Sequence, residues 1–269
     1  MARSSPPPLR ALVLGSGTSQ GVPMIGCRCP VCLSSDPRDS RTRASLYVDD
    51  GTLPFLIDTA PDLRLQCLRE GISDVGAVLY THHHADHVLG LDDLRRFCEL
   101  RRERLPIYGP AATLEILGRM FPYAFDPRTE SASYVRLSPR PVQKAFPLGT
   151  LTVTPLPVPH GRVTTFGYLL ERQGRKLLAY LSDCEAVPDN ILSVIHSVEI
   201  LIIDGLRDEP HPTHLTAQQA VKVARLAAAR QTYLTHLTHH KSHRDREADL
   251  PAGIGVAFDG LAIVLDPPC

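Results

Sequence analysis

The stretch AVLYTHHHADH, residues 77–87, runs from an apolar, β-rich segment straight into four histidines and an aspartate. A strand that ends near Thr81 delivers the next side chains to a sheet edge, where a turn can aim several of them at one point. His82 and His84, two apart, share one face of an extended segment, while Asp86 and His87 follow round the turn toward a neighbouring point. One histidine alone has an easy structural explanation. Buried imidazoles and carboxylates each need a partner, however, and four of them within six residues point to metal binding. The reading is two adjacent clusters of nitrogen and oxygen donors.

Short apolar runs recur on both sides of this stretch. Residues 11–16, 45–48, 54–58, 77–81, 106–109, 151–158, 164–170, 176–183, 199–204, 232–236 and 261–266 read as strands. Helical patterns cover 62–71, closing on Gly71, then 92–103, 112–121 and 216–230, the last opened by Thr216 as N-cap. Hairpin-like strand pairs in both halves favour two sheets covered by outer helices over a simple βαβ alternation. Residues 122–148 carry the weakest pattern, and FPYAFDPRTE (121–130) reads as a loop near the mouth of the site.

Of 269 residues, 43% are apolar and 22% charged, an ordinary globular composition. Residues 1–9 are expected to form a flexible tail, and 10–269 one domain. Lys plus Arg equals Asp plus Glu at 29 each, so the net positive field that favours nonspecific nucleic-acid binding is absent. MARSSPPPLR has no apolar signal region and no run approaches a membrane span, which predicts a cytoplasmic protein without a membrane partner.

The pattern at 82–87 resembles the metallo-β-lactamase superfamily, whose mark is H-x-H-x-D-H at a strand end, followed by single ligands from later strand ends. Matching residues stand just past apolar runs at His160, Asp183 and His236. The resemblance extends from GSGTSQGVP (15–23) to the end of the chain and implies an α/β fold, the αββα sandwich. It also implies that His82, His84 and His160 hold one ion, Asp86, His87 and His236 a second, and that Asp183 bridges them. Donors of N and O type without thiolate suit Zn²⁺ or Mn²⁺, with Fe²⁺ a third option. Asp58 is expected to orient a ligand histidine from outside the coordination sphere.

Cys27, Cys29 and Cys32 lie in GCRCPVC (26–32), and no second cysteine cluster follows to complete a tetrahedron. Cys67, Cys98, Cys184 and Cys269 are scattered and read as inert. A C-x-C-x2-C trio after a GTSQGVP loop resembles the PhnP-like phosphodiesterase family of this superfamily. That resemblance implies a structural zinc whose fourth ligand is His239, three positions after His236. It also implies a general acid at His214 in HPTHL (211–215), with His211 as the fallback.

Two divalent ions together can generate a nucleophilic hydroxide and stabilise charge building on a substrate oxygen. The resemblance, with Asp86 beside the second ion, implies a phosphodiesterase that uses a metal-bridging hydroxide. The expected substrate is a small phosphodiester, with cyclic ribose phosphates first among the candidates. In GSGTSQGVP, Ser19 and Gln20 are candidate substrate contacts, or the loop only supports the metal site. Arg41 and Arg43 in DPRDSRTR (36–43) either meet an anionic ligand or form a solvated loop. Two alternatives remain: an RNA hydrolase like the tRNA 3′-processing endonuclease, and a non-catalytic accessory protein resembling the pyrroloquinoline quinone biosynthesis relative. The first lacks a basic arm here; the intact donor set argues against the second. A homodimer is left open.

Overall fold

Residues Arg175–Leu181 form a strand with no face left for water: Leu178 and Tyr180 pack to one side, Ala179 and Leu181 to the other, and all four are buried. Residues Ile200–Asp204 repeat the pattern, with Ile200 and Ile202 on one face and Leu201 and Ile203 on the opposite one. Strands buried on both faces are near-continuous apolar runs and require cover on two sides. Here a second sheet supplies one cover and helices supply the other.

The computed structural model describes residues 7–128 and 134–265. The first sheet contains β1 (Leu9–Gly15), β2 (Ser45–Asp49), β3 (Phe55–Ile57), β4 (Ala77–Leu79), β5 (Leu105–Gly109), β6 (Leu137–Pro141) and β14 (Ala262–Leu265) in the order β14-β1-β2-β3-β4-β5-β6. The second contains β7 (Phe146–Leu148), β8 (Leu151–His160), β9 (Val163–Arg172), β10 (Arg175–Leu181), β11 (Ile200–Asp204), β12 (Gln231–Thr235) and β13 (Ile254–Val256) in the order β13-β12-β11-β10-β9-β8-β7. Each sheet is antiparallel on one side and parallel on the other, with β3 to β6 and β10 to β13 as the parallel runs.

The inner faces meet in a core that includes Val13, Phe55, Ile57 and Leu79 from one sheet and Val153, Tyr168, Tyr180 and Ile202 from the other. Helices α1 (Leu63–Glu70), α3 (Arg95–Arg101) and α4 (Ala111–Met120) cover the outer face of the first sheet through Leu63, Phe97, Leu114 and Leu117. Helices α6 (Asp189–Ile195) and α7 (Ala217–Leu226) cover the second through Ile191, Ile195, Ala220 and Val223. This is the expected αββα sandwich.

The expected boundaries hold where caps enforce them. Gly71 ends α1 in the left-handed conformation (φ 67°), and Thr216 opens α7 with a reciprocal capping box to Gln219. The expected helix 92–103 divides into a 3-10 turn, Leu89–Leu94, and α3. The 121–130 stretch is not all loop, since Pro122–Phe125 forms the short helix α5. Short α2 (Ala85–Val88) and α8 (His243–Ala248) complete the α-helices among the described residues.

Leu9 is fully buried within β1, so ordered structure begins before residue 10, while residues 1–6 lie outside the described residues. Cys67, Cys98 and Cys184 are buried free thiols, and Cys269 lies outside the described residues. No helix among the described residues is long and apolar enough to cross a membrane.

Candidate metal centres

Parallel strands send their carboxyl ends to one edge of a sheet, and here both sheets aim those ends at a shared cleft. Asp58 follows β3, His82 lies three residues beyond β4, His160 ends β8, Asp183 lies two beyond β10, Asp204 ends β11 and His236 follows β12. His84 is the extended residue before α2, and Asp86 and His87 lie on that helix. Asp58 (φ 64°) and His236 (φ 58°) both hold left-handed backbone conformations without being glycine. Each such conformation costs on the order of 1–3 kcal/mol and persists only where its surroundings over-determine it.

The donor atoms converge in two overlapping groups. Ligand atoms of His82, His84 and His160 lie within 4.8 Å of one another, and so do those of Asp86, His87 and His236. His160 Nε2 is 3.3 Å from His84 Nδ1, close to the ~3.3 Å edge of a tetrahedron with Zn–N bonds of ~2.0–2.1 Å. The Asp183 carboxylate reaches both groups: Oδ1 is 3.1 Å from His87 Nε2, and Oδ2 is 3.4 Å from His236 Nε2 and 3.7 Å from His160 Nε2.

Buried His82 Nε2, His87 Nε2, His236 Nε2 and Asp183 Oδ1 have no hydrogen-bond partner among the described residues. Leaving such atoms unsatisfied costs about 1–3 kcal/mol each, and divalent cations among them would offset that cost. The electrostatics agree. His87 is held above its ordinary value against its own burial by Asp183, Asp86 and Asp58, so a proton is favoured where a cation fits. Burial, followed by the charge of His87, pushes His82 down. The donor set therefore fits a pair of divalent ions.

Outer partners fix the imidazoles. Asp58 Oδ2 lies 2.7 Å from His87 Nδ1 and accepts from the Thr81 hydroxyl at 2.8 Å, while Oδ1 accepts from the Thr81 amide at 2.8 Å. With its proton committed to Asp58, the Thr81 hydroxyl can accept from His82 Nδ1–H at 2.9 Å. His160 Nδ1 donates to the Thr213 carbonyl at 2.8 Å. In all three cases the second ring nitrogen is turned toward the cleft. The expected outer role of Asp58 matches this geometry.

The second cluster is separate. His239 Nδ1 lies 3.4 Å from Cys27 Sγ, 3.3 Å from Cys29 Sγ and 3.5 Å from Cys32 Sγ. A tetrahedron with Zn–S bonds near 2.3 Å and Zn–N bonds near 2.0–2.1 Å has S···N edges of about 3.6 Å, so the four atoms stand where a zinc would require them. The Cys32 backbone N–H and the His239 ring hold the Cys29 thiol down to about 6, whereas desolvation and the neighbouring sulfurs push Cys32 up to about 11. A cation is what would favour thiolate at all three.

A family profile described as the beta-lactamase superfamily domain matches residues 54–237, a span from before Asp58 to just past His236. The chain belongs to the metallo-β-lactamase superfamily. It is similar to a diphosphatase of the PhnP family, with 40% identity and a TM-score of 0.88 over 97% of this chain and 98% of that one. It is 37% identical over 265 residues to an octanoyltransferase of Porphyromonas gingivalis, covering 96% of this chain but 52% of that protein, so it spans about half the relative's length. It is also 33% identical to coenzyme PQQ synthesis protein B of Methylobacterium radiotolerans, over 73% of each chain. Superfamily membership and the convergent donors make this chain a metal-dependent hydrolase.

In this superfamily member, the loop after β1 bears on the metal edge through its backbone. The Ser16 carbonyl accepts from the Leu237 amide at 2.9 Å, and the Leu237 carbonyl accepts from the Thr18 amide at 3.1 Å. Gly15 and Gly17 serve close approach to residues 41–43: a Cβ on Gly15 would stand 1.9 Å from the Arg43 carbonyl oxygen. Ser19 and Gln20 are exposed and line a cleft of about 240 Å³ that His211, His214 and Arg207 also line.

Arg41 does not lie in a solvated loop, and Arg43 stands half-buried. Arg41 is buried, donating to Ser16 Oγ at 2.8 Å and lying 3.2 Å from His243 Nδ1, and Arg43 pairs with Asp62 at 2.9 Å. Asp39 accepts from the His243 amide at 2.6 Å at the start of α8, so this segment straps loops together.

His214 adds a feature the sequence reading did not anticipate. Its Nδ1 lies 2.7 Å from Asp204 Oδ2, its Nε2 lies 3.9 Å from Asp183 Oδ2, and its ring stacks on His236 with centroids 4.8 Å apart. Asp204 ends an apolar run, as Asp183 follows one, and that shared position was the available signal.

Proposed function

We propose that the protein is a dinuclear phosphodiesterase acting on a small phosphodiester, with cyclic ribose phosphates as the leading candidates. His82, His84 and His160 would hold one divalent ion, Asp86, His87 and His236 the other, and Asp183 both. Zn²⁺ and Mn²⁺ suit these donors, with Fe²⁺ third, and Cys27, Cys29, Cys32 and His239 would hold a structural zinc. Bound there, the catalytic pair would supply a nucleophilic hydroxide at neutral pH and neutralise charge at phosphorus.

The observation that carries the reading is the Asp204–His214 pair beside this cluster. An alkoxide departing from phosphorus needs a proton, whereas a cluster that only binds metal has no use for an imidazole held by a buried carboxylate at its rim. Asp204 Oδ2 at 2.7 Å from Nδ1 fixes the ring so that Nε2 faces the cluster. As the P–O bond to the leaving alcohol breaks, Nε2 donates that proton; an open-chain diester gives a phosphomonoester and a free alcohol, and a cyclic one a single phosphomonoester with a freed hydroxyl. Asp86 and His214 are the residues we assign to the chemistry, with Asp86 also a ligand.

A second reading follows from the PhnP-family neighbour, a diphosphatase. Attack on a P–O–P linkage uses the same nucleophile but expels a phosphate, which depends far less on His214. An RNA hydrolase gains no support from a formal net charge of zero. A non-catalytic role like that considered for the PQQ-synthesis relative does not explain the complete donor set.

The test is a panel on metal-loaded protein: bis-p-nitrophenyl phosphate, cyclic ribose phosphates, cyclic nucleotides, a nucleoside diphosphate ester, a tRNA precursor, a thioester and a β-lactam. Turnover of the phosphodiesters is expected. Hydrolysis confined to the diphosphate would replace the reading with the second one, and brisk thioester or lactam turnover with neither would end both.

A further inference from the structure

The cleft beside His214 has a one-sided chemistry that donor geometry alone does not explain. It measures about 240 Å³ and is lined by the loop after β1, by Leu206 and Arg207 after β11, and by His211, His214 and His240. None of its lining residues is Asp or Glu. The nearby carboxylate of Asp208 is engaged on another side, paired with Arg246 and with Lys241 at 2.9 Å. Polar neutral groups, histidines and one guanidinium remain, a lining that favours an oxyanion.

Arg207 is held ready for this use. Its backbone is pinned on both flanks: the Arg207 carbonyl accepts from the Ala217 amide at 3.0 Å, and the preceding Leu206 carbonyl accepts from the Thr238 amide at 3.1 Å. Its Nε and Nη2 donate to the Glu209 and Pro210 carbonyls at 3.3 Å each, and among the described residues its other guanidinium hydrogens have no partner, which leaves them for a ligand. His240, which lines the same cleft, has Nδ1 2.7 Å from Thr238 Oγ1, which leaves Nε2 as its other nitrogen.

Position supplies the remaining step. His214 borders both the cleft and the donor cluster. A leaving alcohol protonated by His214 would thus have the cleft beside it. We infer that the cleft is a leaving-group subsite in which Arg207 selects an alcohol bearing a second oxyanion, a phosphate or a carboxylate. This rests on the phosphodiesterase reading for its link to turnover, but not for the binding itself.

The experiment uses the metal-loaded protein with phenyl phosphodiesters matched except at the leaving phenol, which carries a carboxylate, a phosphonate or a neutral carboxamide. Wild type should prefer the charged leaving groups over the carboxamide in kcat/KM by about tenfold or more, the size of one charge-assisted contact. The carboxylate and phosphonate arms separate the two oxyanions. Arg207→Gln, which keeps amide donors for the Glu209 and Pro210 carbonyls, should collapse that preference, and Arg207→Lys should retain part of it. A preference that is absent in wild type, or survives Arg207→Gln, overturns the assignment. If no ester turns over, the phosphodiesterase reading fails separately, and calorimetry with the free phenols still decides the subsite: the charged phenols must bind more tightly than the carboxamide, and must lose that advantage in Arg207→Gln.

Discussion

His236 and His239 stand three residues apart on the loop after β12 yet serve different clusters: His236 Nε2 lies 3.4 Å from Asp183, and His239 Nδ1 lies 3.3 Å from Cys29 Sγ. The left-handed turn at His236 (φ 58°) lets one short loop face both ways. If each cluster holds metal as proposed, removing His239 should be felt at His236 through the backbone.

His239→Ala is expected to lose about one tightly held zinc per chain and to lower the melting temperature, with activity falling indirectly. Mild chelation of the intact protein should act in the opposite order, stripping activity while that zinc stays, because a closed Cys3His site exchanges slowly. Metal analysis alongside turnover reads both. Retention of all zinc in His239→Ala would remove the fourth-ligand assignment.

Asp183→Ala and His84→Ala should lose catalytic metal and activity while near-UV circular dichroism stays native, since the apolar core between the sheets contains neither residue. An Asp183→Ala protein with full metal content and turnover sinks the bridging role.

Asp58→Asn replaces a carboxylate that accepts from His87 Nδ1 with an amide that can present its NH₂ there, misdirecting the ring. Metal affinity should fall about 10–100-fold, as for other outer partners of ligand histidines. Competition with a fluorescent chelator measures it, and an affinity within twofold of wild type would show that the ring is fixed by other contacts.

His214→Ala should keep both catalytic ions but slow esters with poor leaving groups about 10²–10⁴-fold, the usual cost of a lost general acid. A nitrophenyl ester should suffer less, because nitrophenolate departs without a proton. Equal losses on both substrates would move the role to His211 or to water.

The legible parts of the fold were those with dense apolar content. All eleven expected strands occur, because strands such as β10 and β11 bury both faces and leave continuous apolar runs. β6 reads LSPRP and buries only Leu137, β7 and β13 are three residues long, and α8 reads HRDREA, so none offers a period to detect. The histidine and aspartate donors were legible because they follow such runs. Thr81 and Thr213 were missed as site residues because the contacts that give them their roles, to Asp58 and His160, are distant in sequence, which spacing does not encode; Asp204 was missed although it ends an apolar run. Arg41 was misread because a DPRDSRTR segment looks solvated until its hydrogen-bond partners at Ser16 and Ala257 come together.

The sulfur cluster also has a history in time. Its cysteines precede His239 by 207 to 212 positions, so during synthesis at roughly 5–20 residues per second they wait on the order of 10–40 s for their imidazole. Over that interval the nascent thiols are open to oxidation and to any soft cation in the cell. His239 is made after all three cysteines and after His236, so a translation product broken off before residue 236 lacks a residue of each cluster.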